Sequence, residues 1–263
     1  MTSILPAYLE KINWAEQHLL KLEEIVGAFE RAQTYTVTHT VEDKKDRFRL
    51  TFTSQPDWRV SLVAGDFLYN LRGGLDYLIG AIVRPSERTH VMLPMLHEPV
   101  WQIPWSEGEN QELTDARQRW ETVTRHMNPK AVAVLQELQP LYSRAQGDQL
   151  HLIDVLNNLS NKDRHQKLPV IAHGLRESSM TFHLANGSVC PTAIVNPAVA
   201  LEDGAEIEVP EGTVKVEVIG TPVLVIQRGH DGRHVRVPHH LRAMLDYARG
   251  EIVPKLAPYE HRA

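Results

Sequence analysis

The sequence predicts an α+β protein: a helical bundle with an inserted β-hairpin, followed by a small antiparallel β section and a C-terminal helix. Three observations carry this. Apolar residues recur at helical spacing through most of residues 1–167. Within that stretch, YTVTHTV and RFRLTFT alternate with period two on either side of the polar EDKKD. After Lys167 the composition shifts to Val, Ile, Thr and Gly, with turn dipeptides between short alternating runs. The expected organisation is residues 1–167 as the bundle and 168–263 as the β-rich section, or one continuous domain.

The first helix is expected over about 8–32, where Ile12, Ala15, Leu19, Leu22, Val26 and Phe29 share a face. The hairpin follows at about 34–54, its two alternating flanks meeting at the charged turn. Pro56-Asp57 opens a second helix, roughly 58–83, which Pro85 stops. Residues 85–108, with Pro94, Pro99, Trp101, Pro104 and Trp105, read as a long loop lying over the core. Helices are expected at about 110–126, 129–138 (Pro129 being a good first-turn proline) and 147–163. Beyond Lys167 the short strands MTFHL, AEIEV, VKVEVI and VLVIQ are separated by turns at Asn186-Gly187, Asp203-Gly204, Glu211-Gly212 and Asp231-Gly232. Pro238 starts the last helix, with Leu241, Leu245, Ala248 and Ile252 on one face.

Bulk properties narrow the function classes. A net charge of −5 over 263 residues gives no global basic field, so contact with nucleic acid requires a local patch. The single cysteine, Cys190, excludes an internal disulfide and any multi-cysteine metal site, and fits a reducing, cytoplasmic setting. The N-terminal MTSILPAYLEKINW lacks the long apolar core of a signal peptide. The most apolar run, near 60–83, is broken by Asp66, Asn70, Arg72 and Asp76, so no membrane span is expected.

Two helices carry polar ridges with almost no Lys or Glu. On the 58–83 helix, Asp66, Asn70, Gly73 and Tyr77 form one row and Tyr69, Arg72 and Asp76 the next, opposite Phe67, Leu71, Leu75 and Leu78. Gly73 and Gly74 each cost a helix about 1 kcal/mol relative to alanine. Close approach of another helix or a ligand offsets such a cost, so this face is expected to be packed. On the 147–163 helix, His151, Asp154, Asn158, Asn161 and His165 fall in one narrow stripe, and Arg164 adds basic charge.

Three chemistries fit these residues, and the sequence leaves all three open. Buried polar groups can satisfy one another and fix the register of a helix pair. Alternatively, His165 or His151 moves protons near neutral pH while Arg72 and Arg164 hold a phosphate through their planar forks and Asp76 or Asp154 orients them. In that reading Asn70, Tyr77, Asn158 and Asn161 supply neutral binding contacts. Finally, His151, Asp154 and His165 with Asp66 or Asp76 could serve a metal-dependent hydrolase. His151 and His165 stand about 21 Å apart along a helix, so one ion cannot take both.

GDFLYNLRGGLDYL together with LHLIDVLNNLSNKDRH resembles an uncharacterised bacterial, largely actinobacterial, family with a GDxLxNLRxxLDxL helix and a later LSNxDxH helix. Members of that group often carry R-x4-H where this chain reads Arg72 to Tyr77. An R-x4-6-H helix is similar to the signature of HEPN domains, helical ribonucleases of defence and stress systems that work as dimers without metal. That resemblance implies an RNA-directed protein, a metal-independent endoribonuclease with RNA and a second copy of the chain as partners. Arg72 and His165 would then be catalytic, with Asp76 and Asp154 orienting them and no cofactor. Tyr77 stands where the family places histidine. The competing implication is a non-catalytic helical binding or oligomerisation module.

Overall fold

The computed structural model describes residues 5–32, 34–42, 45–83, 86, 91–96, 99–103, 111–140, 151–165, 168–192, 201–202, 204–227 and 234–261. It is an α+β protein, as the sequence predicts. Helices α1 (Ala7–Arg31), α2 (Arg59–Ile82), α3 (Gln111–Thr124), α4 (Pro129–Glu137), α5 (Leu152–His165) and α6 (His239–Tyr247) alternate with strands β1 (Tyr35–Glu42), β2 (Lys45–Phe52), β3 (Val170–Leu184), β4 (Val189–Thr192), β5 (Leu201–Glu202), β6 (Glu206–Ile207), β7 (Thr213–Gln227) and β8 (His234–Val237). A π-helical turn, Ala248–Ile252, links α6 to the short α7 (Val253–Leu256). No described helix is long and apolar enough to cross a membrane.

The chain forms two compact units, each assembled from separated segments. One comprises residues 1–19, 64–167 and 240–263; the other comprises 20–63 and 168–239. The junction at 167/168 is thus one seam among several. The closing helix belongs with the helical segments, and the hairpin belongs with the later strands.

In the helical unit, α1 and α2 run antiparallel, which places Ile12 against Gly74 and Lys11 against Asn70. The helical apolar faces become the core: Ile12, Ala15, Phe67, Leu71, Leu75 and Leu78 are fully or almost fully buried. Helix α5 contributes Val155, Leu156 and Leu159, and the C-terminal segment contributes Leu241, Leu245, Ala248 and Ile252. Asn128 caps α4, its side chain accepting from the Lys130 N–H at 2.9 Å, with Pro129 in the first turn. The loop before α3 does lie on the core where it is described: Leu93, Leu96 and Val100 are buried, and Trp101 packs on Trp120 with ring centroids 4.7 Å apart. Arg117 fastens it by donating to the carbonyls of Val100 and Ile103, both at 2.9 Å. Pro104 and Trp105 lie outside the described residues.

The β unit departs from the single small sheet expected after Lys167. Its strands form two sheets, one of order β1-β2-β6 and one of order β4-β3-β7-β8 with β5 also on β3. Strand β6 pairs with the hairpin, Ile207 opposite Phe48. The runs VKVEVI and VLVIQ are one strand, because Gly220 and Pro222 continue β7 without a turn. Both the N–H and the C=O of Gly220 meet the Tyr35 hydroxyl at 2.9 Å, so they face away from β3. Strand alternation then turns position 222 the same way, where a proline forfeits no ladder bond. Phe48 and Ile207 of the first sheet pack with Phe182 and Val216 of the second. Gly187, Gly204 and Gly212 take φ between 79° and 83° at the expected turns. Asp231-Gly232 lies outside the described residues.

Candidate functional site

The site is built on one residue of the α2 ridge, Arg72. It occupies the side of the helix turned toward α5 and the 91–96 segment, with its side chain only 8% exposed. Its guanidinium donates in three directions: from Nε to Asp76 Oδ2 at 3.3 Å, from Nη1 to Asn157 Oδ1 at 3.1 Å and from Nη2 to the Leu93 carbonyl at 2.8 Å. Asp76, one turn on, accepts from the Leu93 N–H at 2.8 Å. Arginine and aspartate therefore grip both polar groups of Leu93 and pin the 91–96 segment to α2. Charged partners make these bonds stronger than neutral ones. Asp76 orients Arg72 as the sequence suggests, and the orienting pair also builds a wall.

That wall borders a cleft of about 620 Å³ lined by Arg72, Leu93 and Met95, by Gln118 and Arg119 of α3, and by Asn157, Asn161 and Arg164 of α5. Asp115 is the one carboxylate among the described lining residues, and Gln111 donates to it at 2.7 Å. Three guanidinium groups and three neutral amides facing a concave space form an environment for an anion, with fork geometry suited to carboxylate or phosphate.

The rest of the α2 ridge is not packed as expected. Asp66, Tyr69 and Tyr77 are exposed, the two tyrosines by more than half. Asn70 donates to the Asp66 carbonyl at 2.9 Å and accepts from Lys11 at 3.3 Å, and the Lys11 ammonium sits 5.0 Å from the Tyr69 ring centre. The ridge spans too wide an arc for one neighbour to cover: its Arg72–Asp76 side meets α5 and the 91–96 segment, while Lys11 of α1 reaches Asn70 and Tyr69 on the other side. The adjacent glycines divide the same way. A Cβ on Gly74 would lie 2.8 Å from Ile12 Cγ1 and 3.1 Å from the Tyr8 carbonyl, whereas one on Gly73 would meet nothing within 4 Å. Close approach thus accounts for one glycine of the pair.

The stripe on α5 is rotated from the face that meets α2. Arg72 reaches Asn157, not Asn158 or Asn161, and Gly65 faces Asp163. Asn158 is exposed and donates to Asp154 Oδ1 at 3.0 Å, one turn back on the same helix. His151 precedes α5 and packs edge-on to Tyr247 at 6.2 Å. Asn161 and Arg164 do line the cleft, on the exposed side of the helix. His165 is the last residue of α5, and its side chain lies outside the described residues.

Missing from the sequence reading were Asn157, Gln118 and Arg119. Asn157 precedes the stripe residue Asn158 by one position, a rotation of about 100° that took it off the stripe being counted. A signal for Arg119 exists in its proximity to Trp120, whose burial turns one side of α3 inward and sets Arg119 at its border.

A second cluster lies further along the same helix pair. The Asp163 carboxylate rests on Gly65, with Asp66 beside it and His18 Nδ1 at 4.0 Å from Asp66 Oδ2. Burial, reinforced by the negative charge of Asp66, raises the Asp163 pKa above the ordinary aspartate value. Among the described residues, no group of three or more His, Cys, Asp or Glu is placed to hold a metal ion. Comparisons with protein-family models, curated proteins and solved structures return no match to the chain.

Proposed function

We propose that the helical unit is an RNA-directed, HEPN-like module that takes the phosphate backbone into the three-arginine cleft. The observation that carries this reading is the convergence of Arg72, Arg119 and Arg164, from three separate helices, on one concave space with a single carboxylate among its described lining residues. A chain of net charge −5 has no bulk attraction for nucleic acid, so such local concentration is what recognition of a polyanion requires. Arg72 is the positioning member, held by Asp76, Asn157 and Leu93, while Arg119 and Arg164 carry the more adaptable contacts. Asn161 and Gln118 suit sugar hydroxyls or base edges. In the catalytic form of the proposal His165 moves the proton and no metal takes part.

A non-catalytic binding module is favoured by one specific observation: three of the five N–H donors of Arg72 already serve the protein. The two forms separate in a single assay. A fluorescent single-stranded RNA is titrated into the protein with and without EDTA, and the RNA is then run on a denaturing gel. Binding that weakens in Arg119→Ala and Arg164→Ala supports the cleft. Chelator-resistant cleavage lost in His165→Ala supports the nuclease, and binding without cleavage supports the module. RNA affinity unchanged in both arginine variants overturns the proposal.

A further inference from the structure

Strands β1 and β7 each leave a long edge without a strand partner among the described residues. The edge of β1 can be read residue by residue. It pairs with β2 alone, Tyr35 opposite Phe52 through Glu42 opposite Lys45, with no register shift. The Thr53 N–H donates to the Thr34 carbonyl at 2.7 Å, so the polar backbone groups of position 34, and by alternation 36, 38 and 40, face β2. Those of Tyr35, Val37, His39 and Val41 therefore face outward.

Strand β7 pairs with β3 along its length, but β8 covers only Leu224–Gln227 on its other side. Gly220 turns its N–H and C=O away from β3 onto the Tyr35 hydroxyl. By the same alternation Val218 and Val216 turn theirs outward as well, up to the register shift that the ladder shows beyond Lys215. The Tyr35 hydroxyl thus stands in for a strand at the end where the two edges approach each other. Beyond it they enclose a cleft of about 480 Å³, lined by Val37, His39 and Phe48 on one side and by Val214, Val216 and Val218 on the other. Its floor is the core cluster of the unit, in which Phe48 packs with Val216, and the His39 ring stacks on Phe48 at 4.5 Å.

Natural sheet edges are protected by proline, lysine, a bulge or a covering segment. In β1 the edge is eight residues of YTVTHTVE, regular and without proline or lysine, and Val41 is 67% exposed. Opposite it, Val214 is 54% and Ile219 72% exposed, and the charges of Lys215 and Glu217 on the same lining answer each other at 2.6 Å.

We propose that this cleft is an acceptor for an extended peptide segment of a partner protein, which adds as a strand between β1 and β7 and joins the two sheets. Backbone donors and acceptors on both walls call for a strand rather than a helix or a small molecule, and alternate side chains of the guest fall on the Phe48–Val216 floor. The guest must be unpaired along both its edges. A second copy of the chain does not meet that condition with β1, which is already bound to β2. The occupant is therefore a flexible or terminal segment, neutral and alternating between β-branched apolar and small polar residues.

The probe is an acetylated, amidated hexapeptide alternating threonine and valine with a fluorophore at one end, used with the full-length protein. Fluorescence anisotropy reads binding, and hydrogen–deuterium exchange reads protection of residues 35–41 and 214–219. Val216→Pro and Val37→Pro each remove an outward N–H while leaving the inner ladder, and each is expected to weaken binding about three- to tenfold, as loss of a hydrogen bond does. A peptide N-methylated at alternate residues on both registers is expected not to bind, and this arm keeps the protein unchanged should a proline variant fail to fold. Equal binding of the N-methylated peptide, or no protection of either strand, overturns the proposal. So does concentration-dependent self-association that protects the same strands, since a second copy is then the occupant.

Discussion

The carboxylate of Asp163 lies on the bare backbone of α2 at Gly65, so close that a Cβ there would sit 2.6 Å from Oδ1 and 2.7 Å from Oδ2. These residues belong to the two segments GDFLYNL and LSNKDRH, which the sequence sets nearly a hundred positions apart. The helix approaches because glycine lets the acid in, and the acid is desolvated as a result. Gly65→Ala is expected to push the carboxylate outward and bring the Asp163 pKa back down toward the ordinary aspartate range, as followed by carboxyl-carbon NMR titration. An unmoved pKa would show that burial arises elsewhere.

Asp163 also makes stability depend on pH with a defined sign. Its folded-state pKa is raised, by burial first and then by Asp66, so the fold prefers the protonated acid. Its stabilising contribution is complete below the unfolded pKa and is lost as pH rises through the folded one. Asp163→Asn should therefore raise the melting temperature at neutral pH, with the gain shrinking in acid and vanishing below the ordinary aspartate pKa. Denaturation of both proteins across pH 3 to 7 (roughly the window of carboxylate titration) reads this directly, and a gain that persists undiminished in acid contradicts it.

The neighbouring glycines should respond in opposite directions. A Cβ at Gly74 would lie 2.8 Å from Ile12 Cγ1 and 3.1 and 3.3 Å from backbone atoms of α1, which cannot swing aside. Gly74→Ala is expected to destabilise by about 1–3 kcal/mol, as overpacking does. Gly73 has open space, and Gly73→Ala is expected to stabilise by up to about 1 kcal/mol through helix propensity. Paired urea melts decide between this and a shared role for both.

These contrasts also show what was legible before the structure. The hairpin could be read directly, because YTVTHTV and RFRLTFT alternate with period two, His39 alone breaking the apolar row, and the turn between them is charged. The apolar faces of α1, α2 and the last helix could be read for the same reason: periodicity reports burial. Polar ridges report less. They mark a side of a helix but not which part of its arc meets a neighbour: Arg72 and Asp76 bond the backbone of Leu93, while Tyr69, Tyr77 and Asp66 are exposed. Nor could a one-residue rotation on α5 be resolved: the counted stripe held Asn158 and left out Asn157, the residue that Arg72 reaches. The membership of β6 in the hairpin sheet depends on a pairing across more than 150 positions, beyond the reach of any local pattern.

Arg72 should prove a structural brace whatever the cleft binds. Arg72→Ala leaves Asp76 without its cation and frees the Leu93 carbonyl and Asn157, an expected loss of about 3 kcal/mol by analogy with broken buried ion pairs. Arg72→Lys should recover only part, since a point charge cannot reach three acceptors in a plane. Thermal denaturation of both variants tests this, and a variant as stable as the parent would assign the residue wholly to ligand binding.

The central claim is that the arginine cleft takes a polyanion, and the salt dependence of RNA binding tests it most directly. Each phosphate contact to single-stranded nucleic acid contributes about 0.7 to the slope of log affinity against log salt concentration. Arg119→Ala and Arg164→Ala are each expected to weaken binding and to lower that slope by roughly this amount in a protein that melts like the parent. A slope identical in the parent and both variants would place the RNA elsewhere on the molecule and contradict the account.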